Sequence, residues 1–293
     1  MASPASPPVG VNRLSGRALV LLCILLASLA SLWVLHRQPG TLSLSRAGFS
    51  VATQFFARAL TPALEYETDV PPGTAPLLWK ALVAAEATVV FAAAAVSLAL
   101  VGGAGLGLLA SSALWEGDPM RRSSLRQWRW TLAPALYGTT RVVIGVLRSI
   151  HELLWAVLLL AAFGLGNLTA VMAIAIPYAG ILAKVFSEML DEVPRDAALA
   201  MREAGARQVQ AFLFGLLPRA LPDMTAYTFY RFECAIRSSA VLGFFGFPTL
   251  GYYIAASFDN LLYGEVWTYL YALFGLVAVM DWWSGALRRR FVA

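Results

Sequence analysis

Few residues of this 293-residue chain are equipped for chemistry. His151 and Glu152 begin a histidine–glutamate zinc motif, but Trp155 stands where the second zinc-binding histidine is needed. Two histidines in all, and two cysteines (Cys23 and Cys234) inside apolar runs, argue against both a zinc centre and a disulfide framework. The GGAGLG run at 102–107 has the glycines of a phosphate loop, yet it lies within an apolar stretch. Neither lysine, Lys80 or Lys184, follows a glycine, so the chain has no P-loop for ATP. Asn167-Leu168-Thr169 matches a glycosylation triplet by composition alone. What remains is charge. Arg148 with Glu152, Lys184 with Glu188, and Glu233 with Arg237 stand four residues apart, a spacing that places each pair on one helix face. Arg231 has no such partner, positions 227 and 235 being Tyr and Ala, and Glu86 has none either. Charges in an apolar setting are costly, so these seven paired or isolated residues from Arg148 to Arg237 are candidates to line or gate a polar path. The alternative is structural pairing at a membrane boundary. An isolated arginine inside a helix bundle attracts an oxyanion.

The elements that position these residues must lie in lipid. The chain is 59% hydrophobic and 13% charged, against roughly 45–50% and about 25% in soluble domains. Its mean hydropathy is +0.68. The modest net charge of +5 reports membrane topology rather than an affinity for nucleic acid. Charge-free runs cover 18–35, 87–115, 153–183 and 238–258. The third, as one helix, would be about 46 Å long at 1.5 Å per residue, too long for a hydrocarbon layer of about 30 Å. Its FGLGN at 163–167 supplies a break, and Gly243, Gly246, Pro248 and Gly251 interrupt the fourth. Six helices result: 18–35, 81–111, 138–163, 168–189, about 222–246 and 266–287, with 248–263 left as an outer loop. The first reads as a retained helix, its apolar run being long for a signal peptide. Residues 1–17 are expected to form a disordered tail. Residues 36–80, with VPPGTAP and an amphipathic FSVATQFFARAL, form a charged loop. Gly103 and Gly107, four apart, suit a close helix contact. Arginines at 13, 17, 121, 122, 126, 129, 195, 202, 207, 219 and 288–290 fall on one side, which the positive-inside rule makes cytoplasmic, with both termini there.

The loop from 190 to 222, LDEVPRDAALAMREAGARQVQAFLFGLLPRALP, is charged yet helical in character. Asp196 is placed to cap a helix after Pro194, Ala197 to Glu203 favour helix, and Gly205 stops it. A second amphipathic stretch, Val209 to Leu217, is expected to end at Pro218. Such a helix pair is either an ordinary surface loop or a handle for a soluble partner.

The spacing from Gly205 to Leu217-Pro218 resembles the cytoplasmic signature of ABC importer permeases. In that signature Glu-Ala-Ala, three residues, Gly, nine residues, a hydrophobic residue, one more, then Leu-Pro form a coupling helix. Here Leu199-Ala200-Met201 occupy the Glu-Ala-Ala positions and Gly215 the hydrophobic one. Gly205, Leu217 and Pro218 match, and with the glutamate missing, Asp196 or Glu203 supplies charge nearby. RSIHELLWAVLLLAAFGLGNLTAVMAIAIPYAGILAKVFSEMLDEVP at 148–194, AMREAGARQVQAFLFGLLPRALP at 200–222 and YRFECAIRSSAVLGFFG at 230–246 narrow the likeness further. They resemble permeases of the phosphonate/phosphite (PhnE-like) ABC importers, over about residues 70–290. Those relatives usually read Ala-Gly-Gly-Ile-Gly where this chain has Phe247-Pro248-Thr249-Leu250-Gly251, near the expected outer mouth.

The resemblance implies an all-α membrane protein with six spans. It would have a type I, MetI-like permease core at 81–293, and one extra N-terminal helix at 18–35 before an extracytoplasmic loop at 36–80. It implies a multi-pass subunit of the bacterial inner membrane that is not itself an enzyme. Its partners would be a dimer of separate ATPase subunits carrying ATP and magnesium, an extracytoplasmic substrate-binding protein and a second copy of the permease. Neither a cofactor nor nucleic acid would bind this chain. Leu199, Ala200, Met201, Arg202, Glu203, Gly205, Leu217 and Pro218 would couple to the ATPase. Arg148, Glu152, Lys184, Glu188, Arg231, Glu233 and Arg237 are the candidates for the path. The cargo implied is a phosphonate, phosphite or phosphate-like oxyanion, and another small polar solute stays open. The rivals are an ion-driven secondary transporter using Glu86 or Glu233, and a membrane enzyme built on His151 and Glu152.

Overall fold

A computed structural model describes residues 16–37, 46–115 and 126–292, and every regular element among them is a helix. The tail expected at 1–17 falls almost wholly outside the described residues, as do Arg121 and Arg122. The chain divides into two compact units, residues 1–56 and 57–293. The first unit holds α1 (Gly16–His36), whose side chains are nowhere buried, and α2 (Arg46–Ala57), where the sequence allowed either an amphipathic helix or a folded loop.

The second unit opens with a 3₁₀ turn at Arg58–Leu60. Its helices follow as α3 (Leu77–Ala110), α4 (Ser112–Trp115), α5 (Arg126–Ser149), α6 (Glu152–Phe163), α7 (Asn167–Glu192), α8 (Asp196–Glu203) and α9 (Gln208–Ala211). A π-helical turn at Phe212–Leu216 leads into α10 (Leu217–Val241), followed by α11 (Leu250–Asp259) and α12 (Tyr263–Val292). Four helices, α1, α3, α7 and α12, are long and apolar enough to cross a membrane alone. The described helices give six spans if each of two bent pairs, α5 with α6 and α10 with α11, is one crossing.

Three expected boundaries differ. The single helix expected at 138–163 is two, α5 and α6, meeting at 91°. His151 takes an extended backbone (φ −66°, ψ 146°) and its ring nitrogen accepts the N–H of Leu153 at 3.3 Å, which caps a fresh helix. The helix expected from 222 begins at Leu217 instead. Pro218 lies in its first turn, where a missing N–H costs nothing, and the chain runs on through Pro222. The outer loop expected at 248–263 contains α11, set at 43° to the helix before it. The break at 163–167 is found as expected: Gly164 ends α6 at φ +75°, a conformation open to glycine.

Helix α7 is the centre, with α3, α5, α6 and α10 packed around it. Lipid offers no hydrophobic drive for helices to associate, so close backbone approach must do it. A Cβ on Gly103 would stand 2.7 Å from Leu182 Cβ, and one on Gly107 3.0 Å from Phe186 Cβ and 3.1 Å from the Ala183 carbonyl. On the other flank, a Cβ on Gly180 would meet Leu147 Cβ at 2.7 Å and the Arg148 nitrogen at 3.1 Å. The glycines at 102–107 are therefore helix contacts. Buried hydroxyls tie the far end together: Ser239 donates to the Thr88 carbonyl (2.7 Å), Thr88 accepts from the Leu250 N–H (3.1 Å) and Thr249 donates to the Ala240 carbonyl (3.2 Å). Phe247, expected at the mouth, is buried edge-on against Phe91 at 5.9 Å.

The segment before α3 is sewn to the start of α12. Ala63 N–H donates to the Gly264 carbonyl at 3.1 Å, Gly264 N–H to Glu67 at 3.0 Å, and Glu67 N–H to the buried Glu265 at 3.1 Å. Ser257 of α11 donates to the same Glu265 carboxylate at 3.1 Å.

Replacing Gly103 by Val overfills the α3–α7 contact and should cost about 1–3 kcal/mol. Gly105→Val, on the same helix with nothing within 4 Å of its added Cβ, is the control. Detergent thermal unfolding should show a lowered midpoint for the first variant and little change for the second; equal midpoints would remove the glycine contact as the packing determinant.

Candidate functional site

The 190–222 loop is a compact helical hairpin. Helix α8 ends beside Gly205, which at φ +94° adopts the left-handed conformation a stop glycine is suited to. Asp196 is not a cap; it is the first residue of α8, preceded by Arg195. Its carboxylate accepts two bonds from Arg219 at the base of α10, at 3.0 and 3.3 Å, and Arg219 also donates to the Pro194 carbonyl at 3.3 Å. The Arg219 hydrogen bonds hold the Asp196 carboxyl below its ordinary range. A lowered value means the ion pair is fully present at neutral pH and is lost only as pH falls through that depressed value.

The hairpin is fixed at three further points. A Cβ on Gly215 would stand 3.0 Å from Ala198 Cα and 3.2 Å from its nitrogen, so glycine there lets α8 lie flat on the π turn. Gln208 donates to the Ala113 carbonyl at 2.8 Å. Asp191, at the end of α7, accepts from Ser111 Oγ at 2.7 Å and from Ala113 N–H at 3.2 Å. The hairpin is thus tied to α10 through Arg219 and to α4 through Gln208, and α4 is tied in turn to the end of α7 through Asp191. Of the residues singled out in the sequence, Leu199, Ala200, Glu203 and Gly205 share its exposed surface, and Leu199 is 52% exposed. Met201 and Arg202 are half-buried, while Leu217 and Pro218 open α10 rather than closing the hairpin. Asp191 and Gln208 carried no motif signal, because their partners, the Ser111 hydroxyl and backbone groups of Ala113, lie between 78 and 95 residues earlier in the chain.

Beside the hairpin lies a cavity of about 660 Å³ walled by Glu192, Arg219, Asp223, Tyr227, Tyr230 and Arg288, among others. Two of these tyrosines hold Arg231. Its Nε and Nη2 donate to the Tyr227 hydroxyl at 2.8 and 2.6 Å, and its guanidinium lies 5.2, 5.7 and 5.9 Å from the rings of Tyr227, Tyr230 and Tyr178. Among the described residues Arg231 has no carboxylate partner, and the tyrosine at its i−4 position engages it instead, through hydroxyl and ring together.

Two of the three expected ion pairs are also corrected. The 91° bend takes Arg148 and Glu152 off a common helix face. Glu152 instead accepts from Ser238 at 2.9 Å, lies 3.8 Å from His151, and reaches Tyr178 through Ser238, whose oxygen is 3.1 Å from the tyrosine hydroxyl. Glu233 is 7% exposed and pairs with Arg288 of α12 at 3.1 Å, not with Arg237. Arg237 is exposed and donates to Cys234 Sγ at 3.4 Å. Lys184 and Glu188 do pair along α7. Among the described residues no group of three or more metal-type ligands converges. Ser238 was missed in the sequence, although its place seven residues after Arg231 puts both on one face of α10.

Removing Arg288 leaves a buried carboxylate uncompensated, so Arg288→Met should destabilise by about 3–5 kcal/mol. Arg237→Met should cost little, as Arg237 is exposed and gives up only its contact with Cys234 Sγ. A thermal-unfolding comparison with the opposite order would restore the i,i+4 pairing.

Residues 132–293 match the family described as the inner membrane component of binding-protein-dependent transport systems. The phosphite transport system permease protein PtxC of Stutzerimonas stutzeri is 33% identical over 158 residues, 54% of this chain and 58% of that protein. The phosphate-import permease protein PhnE of Mycolicibacterium smegmatis is 31% identical over 159 residues, 54% of this chain and 30% of that protein. The chain therefore spans little more than half of the one and less than a third of the other. Among solved structures, an inward-facing form of the MetNI methionine ABC transporter superposes with a TM-score of 0.59 at 21% identity, over 74% of this chain and 99% of that one. That likeness shows the fold: an all-α, MetI-like permease core. With the match extending over more than half of its length, the chain belongs to the family of binding-protein-dependent transport system inner membrane components.

Proposed function

We propose that the chain is the membrane permease of an ATP-driven importer for a small phosphorus oxyanion. The observation that carries this reading is the hairpin itself: α8 is clamped to α10 by Arg219 and α9 to α4 by Gln208, with α4 tied in turn to the end of α7 by Asp191, yet Leu199, Ala200, Glu203 and Gly205 are left exposed for a partner. A push on that face is delivered to α10 and, through α4, to α7. In this reading the hairpin faces the cytoplasm and docks a separate ATPase, since the chain has no P-loop of its own. Both termini lie on that side of a bacterial inner membrane, and the 36–80 loop lies on the other, where a binding protein delivers cargo. Leu199 stands where the relatives place glutamate, so the contact it makes with the ATPase is apolar.

Closure of two ATPase subunits draws the hairpins of two permease copies together, and α5, α6, α7 and α10 rock between outward- and inward-facing states. Arg231 is the path cation in this reading, doubled across the two-fold axis of a homodimer. Its guanidinium keeps donors free beyond those given to Tyr227, and the tyrosine rings fix its position. The Lys184–Glu188 pair, Glu152, the buried Glu233 and the exposed Arg148 and Arg237 border the moving helices. The cargo class rests on the names of the relatives, a phosphite and a phosphate permease.

Reconstitution in vesicles with the cognate ATPase and binding protein tests the reading. ATP should drive uptake of labelled phosphite or phosphate. Gly205→Val forces a β-branched residue into the left-handed region, at about 1–2 kcal/mol, and should cut uptake per ATP hydrolysed by about tenfold. Uptake that continues after ATP depletion, driven by an ion gradient alone, would replace the reading with a secondary transporter.

A further inference from the structure

The pair that clamps the hairpin has a third member that is not engaged. Arg219 is bound to Asp196 of α8, but Asp223 stands four residues further along α10, on the same helix face, and lines the same cavity. Asp223 is exposed, and neither the ion pairs nor the hydrogen bonds of the described residues engage its carboxylate. Arg219 can therefore choose between a carboxylate on the hairpin and one on its own helix. Both the Arg219 and the Asp196 side chains are well exposed, at 44% and 69%, and ion pairs so exposed are weak. Two weak, similar pairings sharing one arginine make an exchange that a modest force can tip.

We propose that Arg219 is a two-partner positioning residue: bound to Asp196 it holds α8 against the base of α10, and when α8 is displaced during the ATPase cycle it transfers to Asp223. The inference rests on the reading of α8 as the element the ATPase moves. The transfer makes the displacement reversible without leaving the guanidinium unpaired. It also fixes how far the displaced state lies above the resting one, and so how much of each ATP stroke reaches the membrane helices. The arrangement runs against simple stabilisation. In the i,i+4 order found here the cation precedes the anion, the less favourable orientation along a helix, so Asp196 is the resting partner and Asp223 the transient one.

The readout is cargo transported per ATP hydrolysed, in vesicles holding the permease with its ATPase and binding protein. Asp223→Asn should leave ATP hydrolysis near the wild-type rate and lower the transport ratio by at least about fivefold, the low end of allosteric coupling. Asp223→Glu should restore it. Exchanging the clamp, Asp196→Arg with Arg219→Asp, rebuilds the resting pair but sets the introduced carboxylate against Asp223; the ratio should stay low until Asp223→Arg is added. An unchanged ratio in Asp223→Asn, or full recovery in the exchanged pair alone, would reduce Arg219 to a static clamp.

If the wild-type complex shows no ATP-driven uptake of phosphite or phosphate, the importer reading fails. If it shows uptake that ignores every one of these changes, only the exchange fails.

Discussion

The contact between α3 and α7 is the constraint on which the rest of the molecule depends. Within lipid, an apolar side chain gains nothing by leaving its surroundings for another apolar surface, so two helices stay together only if their backbones can come close. Gly103 and Gly107 provide that approach, and Ala179, Leu182, Ala183 and Phe186 of α7 fill it. Gly180 repeats the device on the opposite flank against α5. Once α7 is gripped on both flanks, the positions of α6, α10 and the hairpin follow from it. Its Asp191 becomes the acceptor that fixes the end of α3, and its Tyr178 becomes one wall around Arg231.

Two carboxylates, Glu152 and Glu233, are then paired across helices rather than along them. Four-residue spacing made Glu233–Arg237 and Arg148–Glu152 look self-contained, and each was resolved by a neighbour the sequence places far away. Glu233 found Arg288 at a separation of 55 residues, and Glu152 found Ser238 at 86. For Glu152 the reason is the bend between α5 and α6, and for Glu233 it is burial. A fully enclosed carboxylate needs a partner on the side facing the bundle, whereas an i+4 neighbour on an outward face cannot reach it. Lys184 and Glu188 keep their local pair because both are partly exposed and no other element competes.

Span positions, the break at Gly164, the glycine contact and the stop at Gly205 were legible because each rests on hydropathy or on backbone conformation, both local. The hairpin was legible as a unit, yet its attachments were not. Arg219, Gln208 and Asp191 act on groups in other helices, and only Arg219 had been noticed, as a topological charge. The bend at 149–151 was invisible for a different reason. No glycine or proline marks it, and a histidine ring supplies the cap that serine or aspartate usually provides. Helix α11 was read as a loop because Gly243, Gly246, Pro248 and Gly251 break the apolar run. Two of them instead serve packing: a Cβ on Gly251 would stand 1.9 Å from the Ala240 carbonyl, and one on Gly243 2.0 Å from the Tyr252 nitrogen.

The seam between residues 63–67 and the start of α12 bears on how the molecule is made. Its hydrogen bonds join groups 197 and 198 residues apart, among the longest separations in the fold. A chain emerges from the ribosome at roughly 5–20 residues per second, so Glu67 waits on the order of ten seconds or more before Gly264 and Glu265 exist to receive it. Throughout that interval two carboxylate-bearing segments that the finished protein holds side by side have no counterpart. The α3–α7 contact, by comparison, closes as soon as α7 is synthesised. Assembly therefore has a built-in order. The centre joins residues about 80 apart, as Gly103 and Leu182 are, and so precedes the seam, which waits until the start of α12 has been made.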